Sequence, residues 1–211
     1  MEIWDAYNSD FENYGQRGDE MTRVYFVRHA QPDHGDPDDR NRPLTEEGKK
    51  DSELVLKVLA DERIDCFYCS PYKRSIDTIK ETADYFHKDI ITDDRLRERE
   101  AGMNGNGSAM FRKRWGNHDY HEEGGESISM VQKRNIEALM DILEENRDRT
   151  IVIGTHGTAL STIFNYFNPS FGCEDFLRII DWMPYIVRMD FDGKQMVGVS
   201  EIAHIEKEFK G

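Results

Sequence analysis

Apolar residues fall along this chain in short dense runs, set between longer stretches of helical spacing. Runs at 24–27 (VYFV), 66–69 (CFYC), 89–92 (DIIT), 150–155 (TIVIGT), 185–191 (YIVRMDF) and 196–202 (MVGVSEI) have the length and residue types of strands. Between them the period changes to that of helices, over 45–61, 72–87 and 127–146, and Gly157 opens another to about Phe167. In the first of these, Leu54, Val55, Val58 and Leu59 form one apolar stripe. Thr45 and Ser127 stand where an N-cap hydroxyl accepts from a free amide of the first turn.

Successive strand–helix units argue for an α/β fold, a three-layer α/β/α sandwich with a mostly parallel central sheet covered on both faces. The last two runs, joined by the short turn DGKQ, predict an antiparallel hairpin at the sheet edge. Residues 98–126 break the pattern. They are Gly-rich, polar and weakly periodic, an excursion of the length found in lids and substrate loops. Residues 1–21 differ in character from the rest of the chain and read as an N-terminal extension to a domain spanning 22–211.

Composition narrows the function classes. The chain has 211 residues, enough for a sizeable core. No run approaches the roughly 18 apolar residues of a membrane span, and the first 22 residues are polar and acidic. A cytoplasmic location without a membrane partner is therefore expected. Three cysteines give no disulfide framework, and Cys66 and Cys69 on one strand point to opposite faces as structural thiols. The net charge of -14 disfavours a nucleic-acid partner and repels phosphorylated ligands in general. An anion site must then be local and built from arginines.

Two histidines end core strands: His29 after VYFV and His156 after TIVIGT. The carboxyl ends of parallel strands line one crevice, so the two could share a site. Arg28 precedes the first. Arg74 follows Ser70-Pro71 at a helix start, where free backbone N–H groups already favour an anion. One such histidine alone reads as a satisfied core residue; two at equivalent strand ends, with an arginine beside one, shift that reading. Arg28, Arg74, His29 and His156 would surround one dianion, guanidinium forks matching phosphate oxygens.

The order Arg-His-Ala (28–30), Ser-Pro-x-x-Arg-Ser-x-x-Thr (70–78), Leu-x-Glu-x-x-x-Gly (Leu96, Glu98, Gly102), Gly-Glu-Ser (125–127) and Thr-His-Gly-Thr (155–158) resembles the histidine phosphatase superfamily, which includes the cofactor-dependent phosphoglycerate mutases. The resemblance covers about residues 22–203. It implies a phosphoglycerate mutase-like fold and a two-step reaction through a covalent phosphohistidine. His29 matches the nucleophile, one ring nitrogen attacking phosphorus while a backbone carbonyl holds the other. Arg28, Arg74 and His156 match the residues that bind the phosphoryl oxygens. Glu98 matches the general acid of the first step and the base of the second; Glu100, two residues on, is the alternative that the motif spacing disfavours. Nearby guanidiniums are expected to keep His29 neutral. No metal and no other cofactor is expected, and the implied activity is metal-independent hydrolysis of phosphate monoesters.

The chain also departs from the family. There the first motif is followed by Trp-Asn, whose Asn contacts phosphate; here His34 and Gly35 fall at that place. Gln31, His34 and Arg42 are candidates for the missing donor, Arg42 foremost, and Gln31 and Arg42 join the substrate-binding candidates. Met103-Asn104-Gly105-Asn106 replaces the Trp-Glu-Gly that often follows the acid-bearing loop. A mutase needs a closed lid to keep water from the phosphohistidine, so one loop of moderate length favours a phosphatase. The contrasting reading is a non-catalytic phospholigand-binding module, which would not need the acid. Trp115, His118, Tyr120 and His121 either shape specificity or pack the loop down. The expected partner is a phosphorylated small molecule.

Overall fold

The computed structural model describes residues 21–103 and 108–208. The extension before Met21 and most of the Met103–Asn106 departure therefore lie outside the described residues. Six strands form one sheet: β1 (Thr22–Arg28), β2 (Cys66–Cys69), β3 (Ile90–Thr92), β4 (Thr150–Thr155), β5 (Trp182–Asp192) and β6 (Gln195–Glu206). Their order is β3-β2-β4-β1-β5-β6. The first four are parallel, and β5 and β6 run antiparallel as an edge hairpin. Gly193, at φ 58°, supplies the left-handed backbone that its tight turn needs.

Alternation along the strands divides the core in two. Val24, Phe26, Ile151, Ile153 and Val187 face one way. They are covered by α5 (Ile128–Glu145), α6 (Gly157–Phe167) and α7 (Cys173–Ile179) through Leu139, Leu160, Ile163 and Phe176. Tyr25, Val27, Phe67, Val152 and Ile186 face the other way, under α2 (Glu53–Leu59) and α3 (Lys73–Tyr85) through Val55, Leu59 and Ile79. This is the three-layer arrangement expected, and each large apolar side chain so buried contributes about 1.5–3 kcal/mol. Cys66 packs against the first core and Cys69 lies within the second, on opposite faces. Burial pushes their thiols up to about 11 and about 12, which keeps both protonated at neutral pH. No described helix is long and apolar enough to cross a membrane.

Local signals set most helix boundaries. The Thr45 hydroxyl accepts from the Gly48 amide at 2.9 Å, and the Ser127 hydroxyl from the Met130 amide at 3.2 Å. The helix expected over 45–61 instead divides at Ser52, giving α1 (Glu46–Asp51) and α2. The Ser52 hydroxyl donates back to the Lys49 carbonyl at 2.6 Å, and the half before it carries no apolar stripe. The 98–126 excursion is not all loop. It contains α4 (Ser108–Gly116), held by Phe111 and Trp115 against Phe176, with ring centroids 5.2 and 5.8 Å apart. Those contacts are made across the fold, so the local period did not reveal the helix.

Candidate active site

Three neighbouring parallel strands end together. Cys69 pairs with Gly154 and Arg28 with Thr155, so the next residue on each strand, Ser70, His156 or His29, stands on one rim. Backbone bonds continue the ladder past the strand ends: Ser70 N–H donates to Gly154 O at 3.0 Å and His29 N–H to Thr155 O at 3.1 Å. The two imidazole rings meet edge to face, 5.2 Å between centroids.

The tautomer of His29 is fixed locally. Its Nδ1 lies 2.7 Å from the Ala30 carbonyl, which can only accept, so Nδ1 carries the proton and Nε2 keeps its lone pair. The Ala30 amide in turn donates to the Thr78 hydroxyl at 2.9 Å, and that hydroxyl donates to Arg74 O at 2.7 Å. His156 is fixed from the opposite side. The Ser70 oxygen accepts from the Tyr72 amide at 3.2 Å and lies 2.7 Å from His156 Nε2. His156 Nδ1 is buried and has no hydrogen-bond partner among the described residues. Burial, followed by the Arg74 and Arg28 cations, pushes His29 well below the ordinary imidazole range; burial, Arg74 and His29 do the same to His156. Both rings are neutral at pH 7.

Arg28 leaves β1 beneath α6. A Cβ on Gly157 would meet its guanidinium carbon at 3.2 Å, tighter than an ordinary contact, so glycine lets the helix start lie close over it. Its Nη1 donates to Ile179 O at 2.6 Å and its Nη2 to Ile180 O at 2.8 Å, while Nε is buried without a partner among the described residues. Burial lowers its pKa to about 10, so the charge is retained at neutral pH. Arg74, 3% exposed on the first turn of α3, lies against the Tyr72 ring at 4.9 Å. It donates to Asp39 O at 2.5 Å and Asp39 Oδ1 at 3.2 Å.

Glu98 approaches from the excursion. Its Oε1 accepts from the Arg99 amide at 2.7 Å, and its Oε2 from the Thr158 amide at 3.1 Å, in the first turn of α6. Burial lowers the pKa of both Arg28 and Arg74, and Glu98 lies close enough to each to offset part of that effect. Glu100 is exposed, and its backbone pairs with Glu126 instead. The five strongest candidates, Arg28, His29, Arg74, Glu98 and His156, thus share one pocket.

The donor candidates separate. Arg42 reaches the cradle: its Nη1 lies 2.9 Å from Asp39 Oδ1, the oxygen that Arg74 also holds, and its Nε donates to Asp36 O at 2.9 Å. His34 feels the same cations; partial burial and then Arg42 and Arg74 lower its pKa. Gln31 is drawn elsewhere, because its side-chain oxygen accepts from the Thr45 hydroxyl at 3.0 Å at the start of α1. Among the loop aromatics, Trp115 is a core residue, yet it also lines a small pocket with Arg99, Arg114, Phe111 and Thr158 beside Glu98. The sequence pattern did not reveal Asp39, the roles of Ser70 and Thr78 in setting these groups, or the Ile179 and Ile180 carbonyls. Nothing in the run DPDD distinguishes the third of its aspartates, and a backbone carbonyl has no sequence signal. Among the described residues no group of three or more His, Cys, Asp or Glu side chains is arranged to hold a metal ion.

A mostly parallel α/β sandwich here gathers paired histidines and arginines at its strand ends, a donor set that suits an oxyanion. The model of the histidine phosphatase superfamily (branch 1) matches residues 24–197, and the chain belongs to that family. It is 28% identical over 166 residues to phosphoserine phosphatase 1 of Hydrogenobacter thermophilus, covering 68% of this chain and 75% of that one. It is 33% identical over 135 residues to the 2,3-bisphosphoglycerate-dependent phosphoglycerate mutase of Thermoplasma acidophilum, covering 60% and 64%. Among solved structures, phosphoserine phosphatase of Entamoeba histolytica in complex with 3-phosphoglyceric acid superposes with a TM-score of 0.71 at 18% identity, covering 89% of this chain and 98% of that one. The native mycobacterial glucosyl-3-phosphoglycerate phosphatase gives 0.67 at 17%, covering 86% and 97%. At that identity the structures speak for the fold, which is the phosphoglycerate mutase-like one.

Proposed function

We propose that this chain is a phosphomonoesterase that hydrolyses phosphate monoesters through a phosphohistidine on His29. The observation that carries the reading is the pair of buried nitrogens in the cradle without a partner among the described residues, Arg28 Nε and His156 Nδ1, beside a neutral imidazole whose Nδ1 is tied back. Buried polar groups are nearly always satisfied, and the oxygens of a phosphoryl group would satisfy these.

In the first step the His29 Nε2 lone pair attacks phosphorus and the ester P–O bond breaks. Glu98, in its protonated form, gives its proton to the departing oxygen. In the second step the Glu98 carboxylate takes a proton from water, the water oxygen attacks phosphorus, and the P–N bond breaks to release inorganic phosphate. Arg28, Arg74 and His156 hold the equatorial oxygens throughout, with Arg42 close enough to add a further donor. The positive charge needed comes from guanidinium groups in this reading, with no metal. A cytoplasmic location and a domain beginning near residue 22 remain part of it.

Identity to a phosphoserine phosphatase over most of the chain makes phosphoserine the first ester to test. Identity to a phosphoglycerate mutase is the specific reason to assay isomerisation beside hydrolysis. A panel of phosphate esters should be turned over by the wild type, with an acid-labile, base-stable label on the protein. His29→Ala should lose both label and turnover, by about 10⁴-fold or more. Wild-type turnover in the His29→Ala protein would remove His29 from the chemistry, and isomerisation outpacing hydrolysis would favour the mutase.

A further inference from the structure

The proposed acid sits on a stretch without helix or strand pairing, yet that stretch is tightly fixed. Arg134, on the second turn of α5, accounts for this. Its Nη1 donates to Arg95 O and to Arg97 O, both at 2.7 Å. Its Nη2 donates to Glu98 O at 3.0 Å and to Glu126 Oε2 at 2.7 Å. Its Nε donates to Glu126 Oε1 at 2.9 Å. A guanidinium has five N–H donors, and here five acceptors meet them. Three of those acceptors are backbone carbonyls at or just before the acid.

Glu126 closes the arrangement from below. Its Oε1 also accepts from Arg97 Nη2 at 2.9 Å, and its Oε2 from the Glu100 amide at 3.0 Å. The backbone of residues 95–100 is thus gripped on both sides of Glu98, by Arg134 from α5 and by Glu126 just before its N-cap. What remains to Glu98 is its side chain, and both carboxyl oxygens already have amide partners.

We propose that Arg134 is a positioning residue for proton transfer: its fork fixes the backbone of residues 95–98 so that the Glu98 carboxyl reaches the leaving-group oxygen. This rests on Glu98 being the general acid of the proposed hydrolysis. Proton transfer needs the carboxyl within hydrogen-bond reach of that oxygen, and small displacements are costly. Lysine at this place would keep a charge opposite Glu126, but its three donors from one nitrogen cannot span carbonyls and carboxylate together.

The test separates positioning from folding by the basicity of the leaving group. A phenolate such as p-nitrophenolate departs with little help, whereas an alkoxide needs the proton. Values of kcat/KM, which report the first phosphoryl transfer, are compared for p-nitrophenyl phosphate and for the fastest alkyl ester of the panel. Arg134→Lys should lower kcat/KM for the alkyl ester about 30-fold and for the aryl ester less than about threefold, with Arg134→Gln larger in the same ratio. Equal losses on both esters in folded Arg134→Lys would overturn the proposal. The wild type keeps the two failures apart: absence of its acid-labile label undoes the phosphohistidine reading, whereas normal labelling with equal losses undoes only the role of Arg134.

Discussion

The strand-end cradle and the acid-bearing arm converge on one pocket, but they are held by different forces. His29, Ser70 and His156 continue the hydrogen-bond ladder of a buried sheet, and the strands behind them are packed on both faces. The acid-bearing stretch around Glu98 is held by charge instead: Arg134 and Arg97 on Glu126, with Arg99 and Arg114 on Glu122 beside it. A nucleophile fixed by the sheet cannot shift without breaking the core. An acid fixed by ion pairs can be displaced by one substitution or by a change of pH. In this molecule the attacking group is rigid by topology, and the proton donor is rigid only while its carboxylates stay charged.

The largest effect that tests this division falls on the acid itself. Glu98→Gln keeps the shape of the side chain and one of its two amide contacts but cannot act as the acid, so kcat/KM for alkyl phosphates should fall by about 10²–10⁴-fold, and far less for p-nitrophenyl phosphate. Steady-state kinetics on both esters decide it. Unchanged hydrolysis of the alkyl ester would place the acid elsewhere, with Glu100 the next residue to substitute.

A second effect is the response to acid, where the two regions should fail in different windows. The pKa values of His29 and His156 are depressed in the folded state, so below about pH 6.5 the unfolded chain binds protons that the folded chain does not. Stability should therefore fall on acidification from there, by up to about 1.4 kcal/mol per pH unit for each ring. Urea unfolding across pH 5–8 measures the slope, and His29→Asn should flatten it. The arm responds lower. Burial raises the pKa of Glu126, but Arg134, the Glu100 amide and Arg97 outweigh it and the net shift is downward. For Glu122, Arg114, a backbone bond and Arg99 outweigh burial in the same way. Their stabilisation is present above the ordinary glutamate value of about 4.3 and is lost as pH falls through the depressed folded pKa. Amide exchange, corrected for intrinsic rates, should accelerate in the arm at pH values where β1 and β4 remain protected. Simultaneous loss of protection in both would erase the distinction.

The smallest effect concerns the cradle's entrance. Asp39, about half exposed, places one carboxylate oxygen on both Arg74 and Arg42. It partly neutralises the charge that would receive a phosphoryl group, so Asp39→Asn should lower KM by about two- to fivefold and leave kcat nearly unchanged. A raised KM would mean that Asp39 orients the arginines more than it competes for them.

Which residues lie at strand ends was legible in the chain alone, because alternation and run length are local properties that the sheet then enforces. From them came the layers, the edge hairpin, the opposed cysteines and the pairing of His29 with His156. The cap hydroxyls of Thr45 and Ser127 were legible for the same reason, each needing only an amide three residues on. What acts across the fold was not. His156 Nε2 is met by Ser70, 86 positions away. Arg28 gives two donors to the carbonyls that end α7, Gln31 is taken by Thr45, and α4 exists because Phe176 receives Phe111. Arg134 reads in the sequence as one more cation on the polar side of a helix. Periodicity records which side of an element is buried, but the partner of a polar group depends on where the chain returns in space, and only the folded structure decides that.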